Sequence, residues 1–119
     1  MCAPALLSTL SVEFPPAIKP ACILLGIESH ICITQTALDL LARGYPVYVL
    51  ADGVSSCNKE EVPVALRRLA GAGATVTSSE SLLYEIMGDA AGGEFRSLAG
   101  LVKAGTERSR EVLGGLCKI

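Results

Sequence analysis

Apolar and polar positions along the chain sort into two alternating kinds of segment. ACILLGI (21–27), PVYVLAD (46–52) and ATVT (74–77) are short, nearly continuous apolar runs bounded by proline, glycine or aspartate. Such runs read as strands of a parallel sheet, buried on both faces. Between them the apolar residues recur at helical spacing. Over 31–43, Ile33, Ala37, Leu40 and Leu41 share one side, and Gly44 stands at the C-terminal stop. Over 59–70, Leu66, Leu69 and Ala70 are expected to face inward, with Pro63 tolerated in the first turns. Ser78 or Ser79 caps a further helix through Met87. An amphipathic piece over 94–103 follows the Gly92–Gly93 break, and the polar, glycine-containing stretch from Ala104 onward is expected to be frayed or only partly helical.

Strand and helix alternate three times. That order specifies right-handed crossovers and an α/β, three-layer αβα, Rossmann-like parallel sheet. Ligands of such sheets collect at the carboxyl ends of the strands. Cys32 lies there after the first strand, Asp52 and Ser55 after the second, and residues 77–79 after the third.

Composition narrows the function. At 119 residues one domain is the default. Half the residues are hydrophobic, which suits a packed core. The net charge of −2 leaves no basic footprint for nucleic acid, and 4% aromatics argue against base stacking. No apolar stretch reaches membrane-spanning length, and the first residues lack the basic start and long apolar run of a secretory signal. The five cysteines (2, 22, 32, 57 and 117) show no CxxC pairing and there is a single histidine, so neither a structural zinc site nor a disulfide framework is expected. These features predict an intracellular protein with no metal and no cofactor.

Cys32 is the residue with chemistry to offer. A thiol in the first turn of a helix meets unpaired backbone N–H groups and the positive end of the helix dipole, both of which favour negative charge. Its own N–H, with one from the turn over 27–29, would form an oxyanion hole. The competing reading is a small core residue at a helix start. His30 is two positions away, an offset at which helical side chains point apart, so it is expected to face solvent or line the pocket rather than pair with the thiol. Asp52 is either a pocket-lining carboxylate or an Asx turn closing its strand. Ser55, Ser56 and Asn58 are most simply helix caps.

The stretch GIESHICITQTALDLLARGYPVYVLADGVSS (26–56) carries a resemblance. It is similar to the isochorismatase-like cysteine hydrolases. Their pattern is an apolar strand, G-[IV]-E-[ST]-H-x-C, x3-T-A-L-[DE]-L, a glycine-ended helix, and a strand closing in D-x-x-S-S. ATVTSSESLLYEIMGDA and EFRSLAGLVK resemble the last strand and closing helices, so the likeness runs over 21–103.

The resemblance implies Cys32 as catalytic nucleophile and a cis peptide between Ile27 and Glu28 that aims the Glu28 N–H at the oxyanion. His30, Asp52 and Ser55 would line the pocket. It also implies an aspartate acting as base and a supporting lysine, both upstream. No D-x-Q-x-x-F stretch occurs here, and Lys19 is not in the lysine's place. The expected organisation is a helix or loop remnant over 1–20, the C-terminal half of the domain over 21–103, with about three of the family's six strands, and a polar tail over 104–119. Two functions follow. One is a hydrolase acting on a small C–N or vinyl-ether substrate, inactive as given for want of the aspartate and lysine. The other is a non-catalytic protein acting through self-association or a partner. The open, apolar edge of strand 21–27 is expected to make homo-oligomers. No nucleic-acid or membrane partner is expected, and the compartment is the cytoplasm, with the mitochondrion as the alternative.

Overall fold

The computed structural model describes residues 3–116. Helix α1 (Pro4–Glu13) opens with proline in its first turn, where a missing N–H costs no helical bond. Its Leu7 and Leu10 pack against the core. Three strands follow, β1 (Cys22–Gly26), β2 (Val47–Val54) and β3 (Thr75–Thr77). They pair in parallel in the order β1-β2-β3. Cys22 lies opposite Val47 and Leu24 opposite Val49, and the register then shifts so that Gly26 meets Val54. The architecture is the α/β parallel sheet that the alternation predicts.

One face of the sheet makes the core. Val47, Val49 and Ala51 of β2 meet Ala37 and Leu40 of helix α2 (Thr34–Ala42) and Val62, Leu66 and Leu69 of helix α3 (Glu61–Gly71). Val49, Leu40 and Leu69 are fully buried. Val62 and Ala65 join the inward stripe of α3, while Ala70 is exposed, contrary to the spacing argument. Helix α2 ends as expected: Gly44 takes φ +80°, its N–H bonds Leu41 O, and the Tyr45 N–H reaches back to Leu40 O.

Helices α4 (Ser79–Met87) and α5 (Phe95–Leu116) reach the other face over β2. There the Tyr48 hydroxyl donates to Glu85 Oε1 at 3.2 Å. Their cover stops short of β1. Ile23 is 44% exposed and Leu25 62%, so β1 is half-covered on one face and open on the other, not buried on both. Among the described residues β1 pairs with β2 alone. The bonds from Cys22 N–H to Pro46 O and from Ser55 N–H to Gly26 O turn the peptide groups of residues 22, 24 and 26 toward β2. Alternation then turns those of Ile23 and Leu25 outward.

Helix α5 overturns the expected tail, running unbroken across the 103/104 boundary. Its half-buried line is Leu98, Val102, Thr106, Ser109 and Leu113. The middle of that line is small or polar, so hydropathy alone loses the period there. The Thr106 hydroxyl bonds back to Val102 O. No helix among the described residues is long and apolar enough to cross a membrane.

Candidate active site

At the carboxyl end of β1 the chain turns sharply. Gly26 has φ +124°, a conformation a side chain would oppose, and the Ile27–Glu28 peptide bond that follows one residue later is cis. The chain does not then enter an α-helix directly, as predicted. Residues Ser29–Ile33 form one wide π turn leading into α2. The Ile33 N–H bonds Glu28 O at 3.1 Å, and the Thr34 hydroxyl takes Ser29 O at 2.7 Å. That side chain competes for a carbonyl an α-turn would use, which favours the wider loop.

Cys32 sits in this π turn, exposed and outside any disulfide. It is therefore not the small core residue that the competing reading required. Ile27 is 68% exposed. Ser29 is buried: its N–H bonds Ser55 O at 2.9 Å, and Ser55 N–H bonds Gly26 O at 3.1 Å. Ser55 thus stitches the end of β2 to the loop after β1 through its backbone, rather than capping a helix.

Ser56 and Asn58 do not cap α3 either. The cap position is Glu60, with no side-chain bond. Instead Ser56 Oγ lies 3.1 Å from His30 Nδ1 and accepts the Asn58 N–H at 3.0 Å. Glu28 Oε2 accepts the Cys57 N–H at 2.9 Å. Its carboxyl is held below the ordinary glutamate value, first by that N–H, then by the Ser56 hydroxyl, with smaller help from the Cys57 side chain and the charge of His30. Glu28, His30, Ser56 and Cys57 therefore form one cluster beside the thiol-bearing turn. The pairing of His30 with Ser56 spans 26 residues and carries no local sequence signal.

Asp52 is engaged elsewhere. Oδ1 accepts the Ser79 N–H at 2.8 Å, and Oδ2 accepts the Ser79 hydroxyl. This is a long-range clamp on the start of α4, not an Asx turn. Ser78 caps the same helix by accepting the Ser81 N–H. Lys19 lies over the Tyr45 ring, 4.4 Å from its centroid. Among the described residues no group of three or more His, Cys, Asp or Glu could hold a metal ion. A concavity of about 850 Å³ between α4 and α5, lined by Leu83, Ile86, Phe95 and Leu98, includes none of the candidate residues. Cys2 and Cys117 lie outside the described residues.

The arrangement has close counterparts among known proteins. The chain is 44% identical over 87 residues to isochorismatase domain-containing protein 1 of Salmo salar, covering 73% of this chain and 31% of that protein. It is 42% identical over 85 residues to the secreted isochorismatase effector Isc1 of Phytophthora sojae, covering 71% of this chain and 40% of that one. In three dimensions it superposes on the MAR1 ribonuclease of Caenorhabditis elegans with a TM-score of 0.73 and 34% identity, over 87% of this chain and 50% of that structure. The chain thus spans half or less of the length of these relatives. The isochorismatase domain matches residues 17–81, which take in β1, the π turn, α2, β2, α3 and β3. By that match the chain belongs to the isochorismatase domain family.

Proposed function

We propose that this chain carries the nucleophile-bearing part of a cysteine hydrolase site, with Cys32 as the attacking thiolate. The observation that carries the reading is the exposed Cys32 thiol in the π turn at the carboxyl end of β1, four residues after Glu28. The substrate class is a small molecule with a C–N or vinyl-ether bond. For a C–N bond, Sγ adds to the carbonyl carbon. The Glu28 and Cys32 N–H groups hold the oxyanion, the protonated amine leaves, and water releases the acyl group. In this scheme His30 and Ser55 support the rim of the site, while Asp52 acts only through its clamp on Ser79. The 119 residues contain no D-x-Q-x-x-F stretch. The aspartate and lysine implied by the resemblance must come from another segment or chain, and without them turnover falls by orders of magnitude. No metal or cofactor takes part in this scheme.

Iodoacetamide labelling followed by peptide mapping tests the nucleophile. Cys32 is expected to react faster than Cys57 and faster than a model thiol. Reaction no faster than the model thiol refutes the assignment.

A second, non-catalytic reading is favoured by β1. Ile23 and Leu25 expose apolar side chains and turn their peptide groups outward. β1 has no charged residue to discourage pairing. The occupant we assign is a second copy. An antiparallel two-fold pair centred on Leu24 sets Ile23 of each strand opposite Leu25 of the other, and the edge reads alike in both directions. Analytical ultracentrifugation should give a dimer, and Leu25→Lys a folded monomer. A wild-type monomer at high concentration overturns this reading. Neither reading needs a nucleic acid or a membrane, and both suit a cytoplasmic or mitochondrial protein.

A further inference from the structure

Glu28 is held at both ends. Its carboxylate Oε2 accepts the Cys57 N–H at 2.9 Å, reaching from the end of β1 to the loop after β2. Its carbonyl accepts two N–H groups of the π turn, from Ile31 at 3.2 Å and from Ile33 at 3.1 Å. Those two residues flank Cys32 on either side. A carbonyl oxygen has two lone pairs, so one acceptor serves both donors. The place of the thiol-bearing turn therefore depends on where the Glu28 carbonyl stands. Ser29 and Ser55 join the same two loops, but through backbone groups that most residue types would supply. The Glu28 side chain adds a charged acceptor, and such bonds are stronger than neutral ones. Among the described residues, the Glu28–Cys57 bond is the side-chain link between these loops whose own residue also accepts from both neighbours of Cys32.

We propose that Glu28 is a positioning residue for Cys32: its side chain, tethered to the Cys57 N–H, fixes the Glu28 carbonyl, and that carbonyl fixes the backbone on both sides of the thiol. The carboxylate does no chemistry in this role. It acts through the turn it holds, and placement matters because a reacting group displaced by about 1 Å can lose on the order of a hundredfold in rate. That the tether serves catalysis rests on the reading of Cys32 as nucleophile. The tether itself does not, because it follows from the hydrogen bonds of Glu28. Its consequence is that the loop after β2, which carries no atom of the nucleophile, helps to set the nucleophile's position.

Residue-resolved amide exchange in Glu28→Ala and Glu28→Gln tests the tether. Both variants remove the charge, but only glutamine keeps an oxygen that can accept the Cys57 N–H. In Glu28→Ala the amides of Ile31, Ile33 and Cys57 should exchange about tenfold faster than in wild type, while core amides of β2 such as Val49 keep their protection. A merely destabilised fold would speed them all. In Glu28→Gln the three amides should return most of the way to wild type. Iodoacetamide labelling of Cys32, measured against a model thiol, should slow in Glu28→Ala and recover in Glu28→Gln. Should Glu28→Ala fail to fold, Glu28→Asp, which keeps the charge but loses a methylene of reach, takes its place. Unchanged protection of Ile31 and Ile33 in the variant that lacks the tether overturns the proposal, as does equal exchange in that variant and Glu28→Gln. If wild-type Cys32 labels no faster than the model thiol, the nucleophile reading fails, and the exchange result still decides the tether, so the two ideas fail separately.

Discussion

Asp52 at the end of β2 holds Ser79 at the start of α4 by both of its carboxylate oxygens, one on the backbone N–H and one on the hydroxyl. This joins strand to helix across 27 positions. Hydrogen bonds to a charged group contribute about 1.5–3 kcal/mol each when partly buried. Asp52→Ala is expected to destabilise the fold by about 2 kcal/mol in urea denaturation, and Ser79→Ala by less, since the backbone bond survives. Equal stability of Asp52→Ala and wild type would remove the clamp from the account.

The core prediction is a contrast. Leu66 is 1% exposed, whereas Ile86 on α4 is 66% exposed. Leu66→Ala should cost about 2–5 kcal/mol through lost transfer energy and a cavity. Ile86→Ala should change stability by less than about 0.5 kcal/mol. Similar losses at the two positions would mean that something covers α4 in solution.

Glu28 makes stability depend on pH. Its folded-state value is depressed, chiefly by the Cys57 N–H and then by Ser56. A depressed carboxyl contributes fully above the unfolded-state value, and the contribution disappears as pH falls through the folded-state value. The stability difference between wild type and Glu28→Gln should therefore be present at neutral pH and shrink on acidification below the ordinary glutamate range. A difference that grows in acid has the wrong sign for this cluster.

Gly44 ends α2 at φ +80°. Gly44→Ala forces a side chain into left-handed backbone and should cost about 1–2 kcal/mol in thermal or urea unfolding. A stabilising effect there would contradict the helix stop.

Much of this fold was legible because continuous apolar runs and glycine stops are local signals. The three parallel strands, the α2 stop at Gly44 and the Ser78 cap follow from such signals. What covers each face of a strand is not local. The run 21–27 looked buried, yet Ile23 and Leu25 face open space. Helix α5 was cut short because Thr106 and Ser109 occupy its inward line. Around Cys32, the π turn depends on where the Thr34 hydroxyl finds its acceptor, and the pairing of Ser56 with His30 depends on β2 delivering a loop beside β1. Caps were the reasonable local reading of those serines, and tertiary contacts replaced it.

The alternating peptide groups of β1 leave a signature of their own. In a lone copy, deuterium should enter the amides of Ile23 and Leu25 rapidly while those of Cys22 and Leu24 stay protected, a comb-like pattern along one short strand. Any chain that docks there, whatever its identity, would fill in the fast teeth of the comb and no others, so the edge reports its own occupancy residue by residue.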